Sequence, residues 1–186
     1  MLKKIAIIPL CLLLVLTLTA CTGSERLKNM TIVQGFSIDS KNGRTSVTIQ
    51  YLDLNKGGSK SDGISGSIVS FVEGEGKDIR TAVNDAGEKL PDALFFGQNK
   101  IIAVSDEYEK QYSRQLKAYL IKNKESRPDV LILKSKGEAA KIIKDAQKNT
   151  IVPADSVYKQ LKKLHRCVTV SDYLAGDELL YYRPSD

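Results

Sequence analysis

Residues 101–133 read IIAVSDEYEKQYSRQLKAYLIKNKESRPDVLIL, with an apolar run at each end and a helical pattern between them. The runs Ile101–Val104 and Val130–Leu133 are continuously apolar, which is typical of strands that are buried on both faces. Ser105 is placed to cap the intervening helix. The inward face of that helix is predicted to carry Tyr108, Tyr112, Leu116, Tyr119 and Leu120. A strand, a helix and a strand in this order predict a crossover unit, although the second run also fits an edge strand.

Two alternating segments precede this unit. Residues 31–39 and 45–54 are each predicted to form a strand, and Lys41-Asn42-Gly43 between them is a typical turn. In the second segment apolar and polar residues alternate, as they do in a strand with one buried face. The pair therefore predicts an antiparallel hairpin.

The rest of the chain alternates helical and extended patterns. A third strand is predicted at Ile68–Val72, followed by a turn at Gly74-Glu75-Gly76, which has too few glycines for a phosphate-binding loop. Further helices are predicted at 79–90, 139–146 and 156–164, and a short strand at 167–170. Together these segments predict an α/β (α+β) fold, in which about four helices pack on a mixed β-sheet with an antiparallel N-terminal hairpin.

Composition narrows the class of protein. The 186 residues are 42% hydrophobic and 27% charged, which is enough to bury a core in one domain. The formal net charge of +6 is only mildly basic, and the chain has no tryptophan. A nucleic-acid binder usually shows a denser basic stripe with stacking aromatic residues, so we expect no nucleic-acid partner.

The N-terminus carries a signal for export and lipid attachment. The apolar run from Ile5 to Leu18, about 14 residues, is too short for a standard membrane-spanning helix and matches a signal-peptide core. Its end, Leu18-Thr19-Ala20-Cys21, resembles a bacterial lipobox. We therefore predict a signal peptide at 1–20, lipid on Cys21 with fatty acyl chains such as palmitate, a polar tether at 21–30 and a domain at 31–186. The alternative is an ordinary secretory signal with an accidental cysteine.

No arrangement typical of an enzyme is found in the sequence. His165, the single histidine, is predicted to end a helix, and one histidine beside Cys167 cannot complete a zinc site. Cys167 is expected to be a small buried residue in a strand. Asp106, Glu107 and Glu109 begin a helix, where acidic residues suit the helix dipole. We predict no catalytic residue, no metal site and no cofactor, and no ligand-binding residue is assigned.

Two further groups of residues have a structural and a functional interpretation. The basic run 159–166 is predicted to be a solvated helix face, and the alternative is contact with anionic lipid near the anchor. The tyrosines at 108, 112 and 119 are predicted to be core residues rather than a ligand platform.

The order of several segments resembles the C-subunit lipoproteins of spore germinant receptors, the Ger(x)C family. The most specific piece is Leu94-Phe95-Phe96-Gly97-Gln98-Asn99-Lys100-Ile101-Ile102, which resembles a family signature that usually has histidine where Gln98 stands. The other matching segments, in order, are Cys21, residues 32–39, residues 47–50, residues 127–130 and residues 136–139. The resemblance covers only the family's first domain, and the further domains that usually follow are absent from this sequence.

This resemblance implies a non-enzymatic lipoprotein subunit of a nutrient germinant receptor in spore germination. It implies integral-membrane receptor subunits of the transporter-like A and B types as partners, besides the membrane lipid that holds Cys21. The expected location is the outer face of a membrane, either the spore inner membrane or the cell membrane. A small-ligand-binding or envelope lipoprotein unrelated to germination is the alternative function.

Overall fold

The computed structural model describes residues 30–53, 68–123, 125, 127–145, 152–165 and 167–183. The chain divides into two compact units, Met1–Met30 and Thr31–Asp186, and the fold described here is that of the second. Its elements are β1 (Met30–Lys41), β2 (Arg44–Leu52), β3 (Val69–Gly76), α1 (Ile79–Gly87), β4 (Ala93–Phe95), a 3-10 turn (Phe96–Gln98), β5 (Ile101–Ser105), α2 (Asp106–Lys122), β6 (Leu131–Ser135), α3 (Ala140–Asp145), α4 (Pro153–Lys163), β7 (Val168–Thr169) and α5 (Val170–Ala175).

The strands form one mixed sheet, as the sequence predicts. Their order is β3-β2-β1-β5-β6-β7, and β4 pairs with β1 beside this path. β1 and β2 form the predicted antiparallel hairpin, and β3 continues it on the far side of β2. β5 and β6 pair in parallel and are connected by α2, so the predicted crossover unit is confirmed. β6 is not an edge strand, because β7 pairs with it on its other side.

The hairpin turn depends on two residues with positive φ. Lys41 pairs with Arg44, and only Asn42 and Gly43 lie between them, with φ of 53° and 75°. A two-residue hairpin with both φ values positive matches the natural twist of the strands, and asparagine followed by glycine adopts it at low cost. The turn predicted at these residues is confirmed.

Helices cover both faces of the sheet, so the unit has three layers. Successive residues of β5 alternate between the two cores: Ile102 and Val104 pack with α1, α2 and α5, whereas Ile101 and Ala103 pack with α3 and α4. This alternation explains the continuous apolar runs in the sequence. Tyr108 is fully buried in the first core, with the other two tyrosines of the α2 stripe packed against it, so the prediction of a core role is confirmed.

The turn predicted at Gly74-Glu75-Gly76 is wrong, because β3 continues through all three residues. Both glycines are buried beneath α1. A Cβ atom on Gly74 would lie 2.6 Å from the backbone nitrogen of Ala86, and one on Gly76 would lie 2.5 Å from that of Ala82. These glycines therefore mark the close approach of a helix to a strand.

Side chains of α1 and of the residues just after it cover part of the outer edge of β3. The backbone N–H of Glu75 donates to Asp85 at 3.0 Å, and Nζ of Lys89 donates to the backbone carbonyl of Glu73 at 2.7 Å. Asp85 and Lys89 also pair with each other at 2.8 Å. We call this arrangement the edge clasp. It occupies backbone groups that point away from β2, where a further strand would pair.

Two buried polar side chains of the hairpin hold the helices of the second face. Asp39 accepts hydrogen bonds from the backbone N–H groups of Ala139 and Ala140, at 2.6 and 3.1 Å, where α3 begins. Gln50, which is fully buried, accepts one from the N–H of Ala154 at 3.0 Å, where α4 begins. Each side chain satisfies backbone donors that have no partner inside their own helix.

Burial raises the pKa of Asp39 above its ordinary value of 3.8, and this effect outweighs the two hydrogen bonds. The native state therefore holds this proton more tightly than the unfolded state does. As pH rises above 3.8, Asp39 ionises first in the unfolded state. We therefore expect the free energy of unfolding of the wild type to fall relative to that of Asp39→Asn between pH 3.8 and the raised native pKa, and to level off above it. Urea unfolding of both proteins across this pH range measures the difference. A difference that grows with pH in favour of the wild type would contradict the prediction.

The C-terminal part departs most from the sequence prediction. α4 begins at Pro153 rather than at Ser156, and its first turn accommodates the proline, which needs no N–H partner there. The strand predicted at 167–170 is reduced to Val168–Thr169. Val170 begins α5, which the sequence analysis missed and which makes a fifth α-helix in the described residues.

Candidate interaction surface

The residues after α5 return to the sheet and extend its edge. The backbone N–H of Lys134 in β6 donates to the carbonyl of Leu180 at 2.9 Å, and the N–H of Tyr182 donates to the carbonyl of Lys134 at 2.8 Å. We call residues 179–183 the C-terminal segment. It pairs with the end of β6, whereas β7 pairs with the beginning of β6 at Leu131 and Ile132.

A groove opens between β6, β7, the end of α4 and the C-terminal segment. Its cavity volume is about 180 Å³. It is lined by Leu131, Ile132, Leu133, Leu161, Leu164, Cys167, Val168, Leu180, Tyr181 and Arg183. We call this feature the edge groove. Its lining contains one cation and no acidic residue, so its floor is apolar.

Exposed apolar side chains concentrate at the mouth of this groove. Leu164 is 51% exposed, Leu180 43% and Tyr181 40%. They are three of the four large hydrophobic residues that are exposed in the described part of the chain, and the fourth, Ile121, lies on α2. Single exposed apolar residues are ordinary, but a group of them around an apolar cavity indicates a binding surface.

Tyr181 is held in place by charged neighbours. Its hydroxyl donates to Oδ1 of Asp106 at 2.7 Å, and Nζ of Lys134 lies 4.8 Å from the centre of its ring. Hydrogen bonds from Lys110 and from Tyr181 lower the pKa of Asp106 to about 2, so this carboxylate stays ionised through the physiological range. One hydrogen bond and cation–π contacts from Lys134 and Lys136 therefore fix the ring beside the start of α2.

One exposed cation lines the groove, and three exposed lysines lie next to its lining residues in the sequence. Lys162 and Lys163 end α4, Lys136 follows β6, and Arg183 lies in the lining; all four are exposed. None of the four forms an ion pair with a described residue. Other lysines of this helical layer are paired: Lys141 with Glu138, Lys144 with Glu73 and Lys159 with Asp155. Among the lysines of α3 and α4, those without an ion pair are therefore the two at the end of α4, next to Leu164 of the groove lining.

The residues singled out in the sequence have different positions. Cys21 and the lipobox residues Leu18, Thr19 and Ala20 lie outside the described residues, as does Arg166 of the basic run. His165 is exposed at the end of α4 with φ of 51°, so it is a helix-end residue as predicted. Cys167 is only half-buried, directly before β7 rather than inside a strand, and it lines the edge groove.

The predicted signature around Leu94–Lys100 has structural contacts in this fold. Phe96 is buried and meets Phe36 of β1 edge-to-face, with ring centroids 5.7 Å apart. The ring of Phe95 lies over Gly97, where a Cβ would come within 2.9 Å of it. Lys100 forms an ion pair with Asp155 of α4. The segment thus joins β1, β5 and α4, which links both faces of the sheet.

Neither a metal site nor a membrane span occurs among the described residues. No group of three or more histidine, cysteine, aspartate or glutamate side chains there could hold a metal ion. Within the same ranges, no helix has the length and hydropathy needed to cross a bilayer.

Sequence reasoning missed the edge groove. The available signals were the apolar pair Leu179-Leu180 followed by two tyrosines, and Leu164 beyond the last lysine of α4. Neither signal has a helical or strand period, because the groove is assembled from three separate segments.

Comparison with known proteins identifies the family of the chain. The family model of the spore germination protein N-terminal domain matches residues 23–173, which is most of the chain. No curated protein and no solved structure matches. The match ends inside α5, so it includes Leu164 and Cys167 of the edge groove but not the C-terminal segment. The resemblance seen in the sequence is confirmed: the chain belongs to the family of the spore germination protein N-terminal domain, and its role is in spore germination.

Proposed function

We propose that the chain is a lipid-anchored, non-enzymatic subunit of a nutrient germinant receptor. The observation that carries the proposal is the position of the family match, which begins at residue 23, two residues after the Cys21 that ends the predicted lipobox. Export, cleavage before Cys21 and acylation would place the folded unit on the outer face of the spore inner membrane or the cell membrane, a short polar tether away from the lipid.

The surface of the folded unit supports a binding role. The feature that bears on this role is the edge groove, which has an apolar floor and one cation, Arg183, in its lining. Asp106, which accepts a hydrogen bond from Tyr181 of the lining, and Glu109 both form ion pairs with Lys134 and are engaged in holding the structure together. Such a surface favours contact with another molecule over bond-making chemistry. The proposed partners are integral-membrane receptor subunits of the transporter-like A and B types.

The proposal is tested by purifying the tagged protein from spore membranes and identifying what accompanies it by mass spectrometry. We expect the transporter-like membrane subunits to be enriched at least tenfold over a purification of an unrelated tagged lipoprotein from the same membranes. A second control is a longer family member that carries further domains. If that relative recovers the membrane subunits and this chain does not, the receptor assignment is wrong for this chain.

The alternative function, binding of a small ligand, has weaker support. The edge groove holds about 180 Å³, whereas sites for drug-sized ligands usually hold about 300–1,000 Å³. It is also open on one side, so a bound molecule would keep contact with water. A rise in melting temperature with one nutrient, and with no membrane present, would favour this alternative.

A further inference from the structure

The edge groove combines features that a protein in contact only with water does not need. Leu164 and Leu180 come from two separate segments of the chain and both line one apolar cavity with exposed side chains, whereas the ring of Tyr181 lies beside Asp106 at the start of α2. Keeping apolar area in water has a free-energy cost that removal into an apolar phase recovers. The pair therefore calls for an occupant that covers both side chains at once.

The charge around the groove narrows the chemistry of that occupant. Arg183 lines the cavity, Lys162 and Lys163 directly precede Leu164 of its lining, Lys136 follows the lining strand β6, and no acidic residue lines the cavity. These four cations have no ion-pair partner among the described residues, although neighbouring lysines on the same layer do. The occupant must therefore be apolar where it meets the groove and anionic where it meets the rim.

An anionic phospholipid surface has both properties in the right arrangement. The cavity is small and the apolar side chains project from it, which suits insertion of these side chains among lipid headgroups more than capture of a large partner side chain. Lysine and arginine reach headgroup phosphates from around such a site.

We propose that the edge groove and its cationic rim form a contact surface for an anionic phospholipid membrane, through which the folded unit lies against the bilayer. This inference rests on the membrane attachment in the proposed function, but it does not depend on which group makes that attachment. It assigns the end of α4 and the C-terminal segment to the membrane side of the molecule.

The test is hydrogen exchange of the full chain reconstituted in nanodiscs. The lipid is phosphatidylcholine alone, or phosphatidylcholine with about 30% phosphatidylglycerol. We expect amides of residues 161–168 and 179–183 to exchange about fivefold more slowly, or slower still, when phosphatidylglycerol is present, with other regions unchanged. The protection should weaken as salt is raised, because ions screen the attraction over about 8–10 Å.

Charge variants make the test specific. Lys162→Glu with Lys163→Glu should remove most of the protection, and the neutral pair Lys162→Gln with Lys163→Gln should remove part of it. The matched control, Lys77→Glu with Lys122→Glu, reverses two exposed lysines next to the first face of the sheet and should keep the protection. All these positions are exposed, so equal melting temperatures will show that the variants fold.

Each remaining outcome has a meaning. Equal exchange in the two lipids, or equal loss in the test and control pairs, overturns the proposal. Protection that requires added membrane subunits and is independent of phosphatidylglycerol also overturns it and assigns the groove to a protein partner. Intact-mass measurement of the same sample shows separately whether Cys21 carries lipid, so failure of the anchor and failure of the contact surface are distinguished.

Discussion

Replacing Cys21 by alanine is expected to abolish incorporation of labelled palmitate into the chain. The thiol of this residue is the proposed acceptor of the diacylglyceryl group, and cleavage at the lipobox follows that transfer, so alanine removes both steps. The unprocessed chain should be larger than the mature form by the signal peptide at 1–20. Each buried methylene of the lost lipid contributes about 0.8 kcal/mol to membrane binding, so anchoring by acyl chains is lost altogether.

Cys167→Ala is the matched control, because it removes a cysteine of the folded unit and leaves the lipobox intact. It should be labelled and processed as the wild type is. The measurement is the ratio of palmitate signal to protein for the three forms. Labelling that persists in Cys21→Ala would show that the lipobox assignment is wrong, and the secretory-signal alternative would replace it if the chain is nevertheless cleaved.

Gly74→Ala is expected to lower the free energy of unfolding by about 3 kcal/mol. A Cβ at this position would lie 2.6 Å from the backbone nitrogen of Ala86 and 2.9 Å from its Cβ. Backbone atoms inside a helix cannot move aside as the end of a flexible side chain can. α1 must therefore shift away from β3, which opens the core at Ala82 and Ala86.

The control for this variant is Gly137→Ala, which has open space around the new methyl group and should change stability by less than about 0.5 kcal/mol. Urea unfolding measures both variants against the wild type. Since neither glycine has a positive φ, the difference between them isolates steric contact from backbone strain. Equal stabilities would mean that α1 does not lie against β3 at this distance.

The fold was predictable where the pattern of the sequence is local. Residues 101–133 contain two strands and the helix that connects them. The order strand, helix, strand is enough to imply that the two strands pair in parallel. The hairpin was equally accessible, because Asn42 and Gly43 specify a tight turn between two alternating segments.

Prediction failed where a residue's role depends on a distant neighbour. Gly74 and Gly76 are indistinguishable in sequence from turn glycines, and only the helix packed on them shows why a side chain is excluded. α5 had a local signal that was overlooked: Thr169 and Asp172 cap each other's backbone in a capping box. Its apolar Val170 was instead assigned to the preceding strand.

The candidate functional residues likewise divide into those that a local sequence motif reveals and those that only the fold brings together. The predicted lipobox is four consecutive residues, so the sequence alone is enough to propose it. The edge groove brings Leu164 beside Leu180 through the pairing of the C-terminal segment with β6, and that pairing has no signature in the sequence. The basic run was visible, but which of its lysines lack acidic partners became clear only from the packed helices.

The edge clasp on β3 also bears on how copies of this chain tolerate crowding. Molecules tethered to a surface meet one another far more often than the same number of molecules dispersed in solution. Unpaired strand edges are the sites at which such encounters can lead to fibrils. Asp85 and Lys89 cover this edge with charged side chains. A foreign strand that approached Glu73 and Glu75 would first have to displace both side chains and break their mutual ion pair. Dense packing on a surface is therefore compatible with keeping each copy separate along this edge.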